Sequence, residues 1–212
     1  VEINYEPVNI LYEDAFLIAA FKPPFLLVHD DGNSQDTLQA RINGYLQLNG
    51  NKYPAQAIHR IDYETSGLVL FCKHPFFQAY CDKSMEEHHI KKDYIALVQG
   101  HTNYKNKKIV SNIARDRHNA KKMIVHPNGK ESISIFNTLK NYKDYSLIQV
   151  TILTGRKHQI RVQCASLNHP ILNDSLYGGK RIDNTGLLLQ SHHIQFNDID
   201  ITCPQEKRFI RK

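Results

Sequence analysis

No Cys-x-x-Cys pair occurs in this 212-residue chain. Its four cysteines, Cys72, Cys81, Cys164 and Cys203, are widely scattered, which argues against a zinc ribbon or redox motif and leaves them as reduced, mostly buried thiols. No apolar run approaches the roughly 18 residues needed to span a bilayer. The first residues, Val1-Glu2-Ile3-Asn4-Tyr5-Glu6, show neither the basic start nor the apolar stretch of a secretory signal. A cytosolic protein with no membrane partner is expected. The chain also lacks internal repeats, low-complexity tracts and Pro/Gly-rich linkers. Residues 1–212 therefore read as a single domain, or as two closely packed lobes.

What is present is an ordinary globular composition, 41% hydrophobic and 23% charged, which excludes intrinsic disorder. Twelve histidines invite a metal hypothesis. The pairs His88-His89 and His192-His193 are adjacent in sequence, however, so their side chains diverge on a helix or a strand alike; no metal is expected. The net charge of +6 is unevenly spread. Between His101 and Lys130 lie eight basic residues, Lys105, Lys107, Lys108, Arg115, Arg117, Lys121, Lys122 and Lys130, against one acid, Asp116, so this stretch supplies the whole surplus. A localised basic stripe is the electrostatic footprint of a phosphate-backbone binder. Taken alone, it reads better as a solvated charged loop.

Hydrophobic patterning predicts strands over Asn9–Glu13 and Phe16–Phe21 around the Glu13-Asp14 turn, ended by Pro23-Pro24. A helix is predicted over Thr37–Leu48 with a Ser34/Asp36 cap region, then a strand over Gly67–Cys72 whose continuous apolar run suits burial on both faces. Further elements are a helix over Phe76–Glu87, strands over Tyr94–Val98 and Ser146–Leu153, a helix over His158–Leu167 and a closing strand over Leu187–Phe196. Many strands with few helices between them favour a mixed, largely antiparallel α+β fold over a doubly wound parallel one.

The stretch His59-Arg60-Ile61-Asp62-Tyr63-Glu64-Thr65-Ser66-Gly67 precedes the buried strand directly. Polar groups crowded against a core strand are costly unless hydrogen-bonded or used. Asp62 there can be a nucleophile, a base or a structural pin, and spacing alone serves a buried Arg–Asp clamp as well as catalysis. A kinase catalytic loop is ruled out, because Ile61 interrupts the His-Arg-Asp run and the matching Asn is missing.

This stretch resembles the His-Arg-Leu-Asp-x-x-Thr-Ser-Gly signature of the RluA family of pseudouridine synthases. The likeness continues in order along the chain. Asn9–His29 is similar to the family's opening strand pair and Lys-Pro turn, and Lys92–Gly100 to its Lys-x-Tyr-x-Ala-x-Val-x-Gly segment. Gly155–Val162 resembles Gly-Arg-Thr-His-Gln-Ile-Arg-Val, and His169–Asp174 with Tyr177-Gly178 resembles the segment that follows it. Asn112–Asp116 and Lys121-Lys122-Met123 also look like family pieces. There are departures: Phe25, Asn168 and Asn173 stand where glycines are usual, Lys157 replaces Thr, Gln163 replaces a common His, and Gln190-Ser191-His192 stands for a Leu-His-Ala-like stretch.

The resemblance implies the pseudouridine synthase fold, α+β with a mixed, mostly antiparallel curved sheet, flanking helices and loops, and a catalytic cleft across the middle. It implies isomerisation of uridine in structured ribosomal or transfer RNA, with Asp62 as the catalytic aspartate, Tyr94 as the active-site tyrosine and Arg161 as the basic residue paired with that aspartate. Asp62 would attack C1′ of the ribose or C6 of the base, or stabilise charge on the sugar, and Tyr94 would stack on uracil or take the proton from C5. The base must leave its stack to be reached, and Arg60 is expected to fill the space it vacates. RNA contacts are expected from Lys105, Lys107, Lys108, Arg115, Arg117, Lys121 and Lys122, on a segment with a mobile gripping loop, and from Arg156 and His158. No cofactor is called for, and a monomer is expected. No S4-like RNA-binding domain is expected ahead of Asn9, so a local stem-loop would be read by shape. The competing class is a non-catalytic RNA-binding or ribosome-assembly protein. A zinc deaminase lacks its ligand set here, and a glycosylase would release free uracil.

Overall fold

The computed structural model describes residues 1–32 and 34–210. In chain order the strands and helices are β1 (Asn9–Glu13), β2 (Leu17–Lys22), α1 (Leu38–Leu48), β3 (Gln56–Ala57), β4 (Ser66–Cys72), α2 (Pro75–Glu86), β5 (Lys91–Gln99), β6 (Lys107–Arg115), β7 (Met123–Val125), β8 (Lys130–Asn141), β9 (Tyr145–Ile152), α3 (Gln159–Ser166), β10 (Leu189–Phe196) and β11 (Ile199–Thr202). The class is mixed α+β. The chain forms two compact units: Val1–Ile90 with His193–Cys203, and Lys91–His192 with Pro204–Lys212.

In the first unit β2 pairs antiparallel with β1 and β4, and β3 adds to β4. The β10–β11 hairpin pairs His193–Phe196 with Ile199–Thr202. The β4 run SGLVLFC is buried at every position, as its unbroken apolar character requires. Leu17, Leu68, Leu70, Cys81, Ile194 and Phe196 share one core cluster. Helix α1 begins at Thr37, not at Ser34 or Asp36: the Thr37 hydroxyl accepts the Ala40 N–H at 3.1 Å, satisfying one of the donors a helix start leaves open.

The second unit is a meander in which β5 pairs with β9, β9 with β8, β8 with β6 and β6 with β7, all antiparallel. Three of these strands, β6, β7 and β8, have no counterpart among the sequence expectations. For β8 the inward positions explain why. In β8 it is Ser132, Ser134 and Phe136 that are buried, while Ile133 and Ile135 stand half-out, so the apolar residues mark the wrong face. The serines meet glutamines of α3. Gln159 Nε2 donates to Ser134 Oγ at 2.8 Å and to the Ile133 carbonyl at 3.1 Å, and Gln163 Nε2 donates to Ser111 Oγ at 3.1 Å and to the Ser132 carbonyl at 3.2 Å. This polar layer accompanies an apolar cluster of Ile113, Val162 and Tyr177, and its amide N–H groups are tolerable inside because they are hydrogen-bonded.

The units differ sharply in charge. The first carries six Lys/Arg against fourteen Asp/Glu, net −8; the second carries twenty-one against seven, net +14. All four cysteines are buried thiols; burial and the nearby Cys72 push Cys81 up to about 12. No described helix is long and apolar enough to cross a membrane.

Candidate active site

Asp62 belongs to the first unit. It opens a turn closed by the Thr65 N–H donating to its carbonyl at 3.1 Å, and Gly67, just beyond at the head of β4, takes φ +111°, a conformation suited to glycine. The next carbonyl, of Tyr63, is held twice, by the Phe25 N–H at 2.7 Å and by the Lys22 ammonium at 3.1 Å. Lys22 is fully buried and also donates to the carbonyls of Pro23 at 2.8 Å and Leu26 at 2.7 Å. A buried ammonium is costly unless its donors are used, and here they tie the Lys-Pro turn to the turn bearing Asp62. Asp62 itself is half-buried and Arg60 is exposed. A position sealed in the core, which would disqualify a nucleophile, is not what is seen. His59 is buried, and its Nε2 accepts the Leu70 N–H at 3.1 Å.

Tyr94 and Arg161 belong to the second unit. Tyr94 is buried in β5, opposite Val150 of β9. Arg161 is buried in α3 and grips Asp174 through a fork, Nε to Oδ2 and Nη2 to Oδ1, both at 2.8 Å. In the sequence Asp174 stands out only as part of a family-like segment; its role as a partner of Arg161 has no local signal, since 13 residues separate them.

Tyr177 is a second residue whose part the sequence does not announce. Its hydroxyl accepts the Met123 N–H of β7 at 2.9 Å and pairs with His158 Nδ1 at 2.8 Å. Its ring faces the Arg161 guanidinium at 5.2 Å and the Lys122 ammonium at 5.6 Å. Tyr177 thus connects the end of the basic hairpin to the start of α3. His158, at the N-cap of α3, holds φ +54°.

The basic segment is β6, a turn and β7, so much of what reads as loop is strand. Lys105, Lys107, Lys108, Arg115, Arg117 and Lys121 are exposed and Lys122 is half-buried; Lys107 lies over the Tyr104 ring at 5.1 Å. Arg115, Lys130, Arg156 and Lys157 line a groove of about 490 Å³ with Ile113 and Met123, and no acid lines it. Lys130 and Lys157 are not among the RNA contacts expected from sequence. At the floor, Gly129 is required: a Cβ there would lie 2.6 Å from the backbone of Ile113. Among the described residues no cluster of three or more His, Cys, Asp or Glu could hold a metal ion.

A model of the RNA pseudouridylate synthase family matches residues 17–166. The chain belongs to that family. It is 36% identical over 179 residues to the uncharacterized RNA pseudouridine synthase YhcT of Bacillus subtilis, covering 83% of this chain and 59% of that one. It is 33% identical over 215 residues to ribosomal large subunit pseudouridine synthase D of Borreliella burgdorferi, covering 96% and 64%. The chain therefore spans about three-fifths of the length of these two relatives. Among solved structures, the human RNA pseudouridylate synthase domain containing 1 superposes with a TM-score of 0.79 at 21% identity, covering 98% of this chain and 86% of that one. The fold is thus that of the pseudouridylate synthases.

Proposed function

We propose that the protein isomerises uridine to pseudouridine in structured RNA, ribosomal RNA first, with Asp62 as the attacking carboxylate. The observation that carries this is the turn at Asp62: a half-buried carboxylate at the head of a core strand, on a turn whose Tyr63 carbonyl is held by the buried Lys22, in a chain of this family. The reaction breaks the N1–C1′ bond and forms C5–C1′; C5 loses a proton and N1 gains one, so it balances without a co-reactant. Asp62 adds to C1′ or to C6 while the uracil turns. Tyr94 stacks on the base or takes the C5 proton, and Arg161, gripped by Asp174, is the permanent cation paired with the aspartate. The target base leaves its stack first, with Arg60 filling its place. The cations of β6, the following turn and the groove hold phosphates, which positions the RNA without reading its sequence. The protein works in the cytosol, as a monomer.

Mapping pseudouridines in total RNA from cells with and without the gene tests this. At least one site should vanish, in ribosomal RNA rather than transfer RNA. An unchanged map sinks the proposal, and release of free uracil by the purified protein would mark a glycosylase instead.

A further inference from the structure

Phe25 holds φ at +64°. A β-carbon makes that region costly, by about 1–2 kcal/mol, and the chain otherwise fills it mostly with Asn and Gly, the residue types that bear it best. Nothing in the local backbone demands a phenylalanine: the bonds that fix this turn run through the Phe25 N–H and the Lys22 ammonium, not through the ring. Nor does the core claim the ring. Phe25 is 47% exposed and Tyr63 is 50% exposed, and the two meet edge to face at 5.8 Å and 66°. A strained backbone thus lies beneath a ring left half in water. Strain that burial does not repay points to use.

We propose that the Phe25–Tyr63 pair is a stacking platform for an unpaired base of the RNA, next to the uridine presented to Asp62. This rests on the reading of the chain as an RNA synthase and adds a substrate contact to it. Three observations favour a nucleobase over a protein partner. Tyr63 directly follows Asp62, whose side chain is part-open on the same turn. Arg60, exposed, stands two residues before Asp62 and offers a cation close to the rings along the chain. The first unit is net −8, so phosphates are repelled there and a non-ionic contact is what can hold RNA close. Aromatic rings serve this purpose because every base has a π-face; stacking fixes position, not base identity. It therefore acts on the affinity for RNA more than on the chemical step.

Four full-length variants test the platform: Phe25→Gly, Phe25→Tyr, Tyr63→Ala and Tyr63→Phe. The probe is an RNA hairpin with one 2-aminopurine in its single-stranded loop, whose fluorescence is quenched on stacking. Phe25→Gly and Tyr63→Ala should abolish the quench and weaken binding roughly tenfold, the size of one base stack, with the salt dependence of binding unchanged. Phe25→Tyr and Tyr63→Phe should retain both. On the RNA identified by the pseudouridine map, Phe25→Gly should raise KM about as much and move kcat less than about twofold. Since Phe25→Gly removes backbone strain, its melting temperature should hold or rise, which separates a missing stack from misfolding. Wild-type quench and affinity in Phe25→Gly, or no quench with the wild type, overturn the platform. A wild-type protein that quenches the probe but makes no pseudouridine overturns the synthase reading and leaves the platform standing.

Discussion

The two units put opposite physical means to use. The first is acidic, has an apolar core and fixes its polar turn with a buried ammonium; the second is strongly basic and joins helix to sheet through glutamine and serine. On the proposed reading, the difference teaches that the turn bearing Asp62 and the broad basic surface are built by different means. A nucleophilic carboxylate needs a fixed backbone and gains nothing from a sea of surrounding cations, whereas holding a polyanion needs charge spread over an area and tolerates imprecise placement.

Breaking the division of labour at its strongest point gives the largest effect. Asp62→Asn should lower pseudouridine formation by about four orders of magnitude while RNA binding in a filter assay stays within about twofold. A matching drop in binding would show that the Asp62 carboxylate itself carries affinity for RNA. Next comes Asp174→Ala. It strips a partner from the buried Arg161 and should cost about 3–5 kcal/mol, read as a lowered urea midpoint. A cost under about 1 kcal/mol would mean that the fork is incidental to the second unit. Lys121→Ala combined with Lys122→Ala should reduce the salt slope of RNA binding by about one for each phosphate no longer neutralised, whereas Glu86→Gln on the acidic unit should leave the slope alone; equal slopes would erase the comparison.

The smallest expected effect concerns Lys92, whose amine burial pulls down to about 8. Between about pH 8 and its ordinary value of 10.5, the unfolded chain keeps a proton that the folded chain has released, so this group makes stability rise with pH across that window. Below about pH 8 both states are protonated, and the desolvation cost stands in full. In Lys92→Met the contribution disappears. Unfolding free energies from urea titrations near pH 8 and near pH 10 should therefore converge in the variant by about 2 kcal/mol relative to the wild type.

The first unit is legible in the sequence because its signals are local and apolar: the run at Gly67–Cys72, the Pro23-Pro24 stop and the α1 pattern each name their element, with only the cap shifted to Thr37. In the second unit β8 escapes such a reading because Ser132 and Ser134 face inward while Ile133 and Ile135 stand half-out, and β6 and β7 lie in the Lys-rich stretch that reads as loop. The candidate residues emerge through ordered motifs, not through periodicity. Their partners do not, since Asp174 and Tyr177 act across gaps that hydrophobic spacing does not encode. The departures from the expected glycines are informative beside the backbone. Phe25, Asn168 and Asn173 all take positive φ, at +64°, +61° and +68°, so the backbone geometry survives the changes. Asparagine bears that conformation more readily than phenylalanine, which is why the change at position 25 stands apart.

The Lys22 ammonium has a consequence for working conditions. Counter-ions cannot reach a charge sealed from solvent, so the hook on the turn of Asp62 should be indifferent to ionic strength, while the open lysines and arginines of the other unit lose their hold as salt rises. On the proposed reading, concentrated salt would then loosen the RNA while leaving the turn of Asp62 fixed.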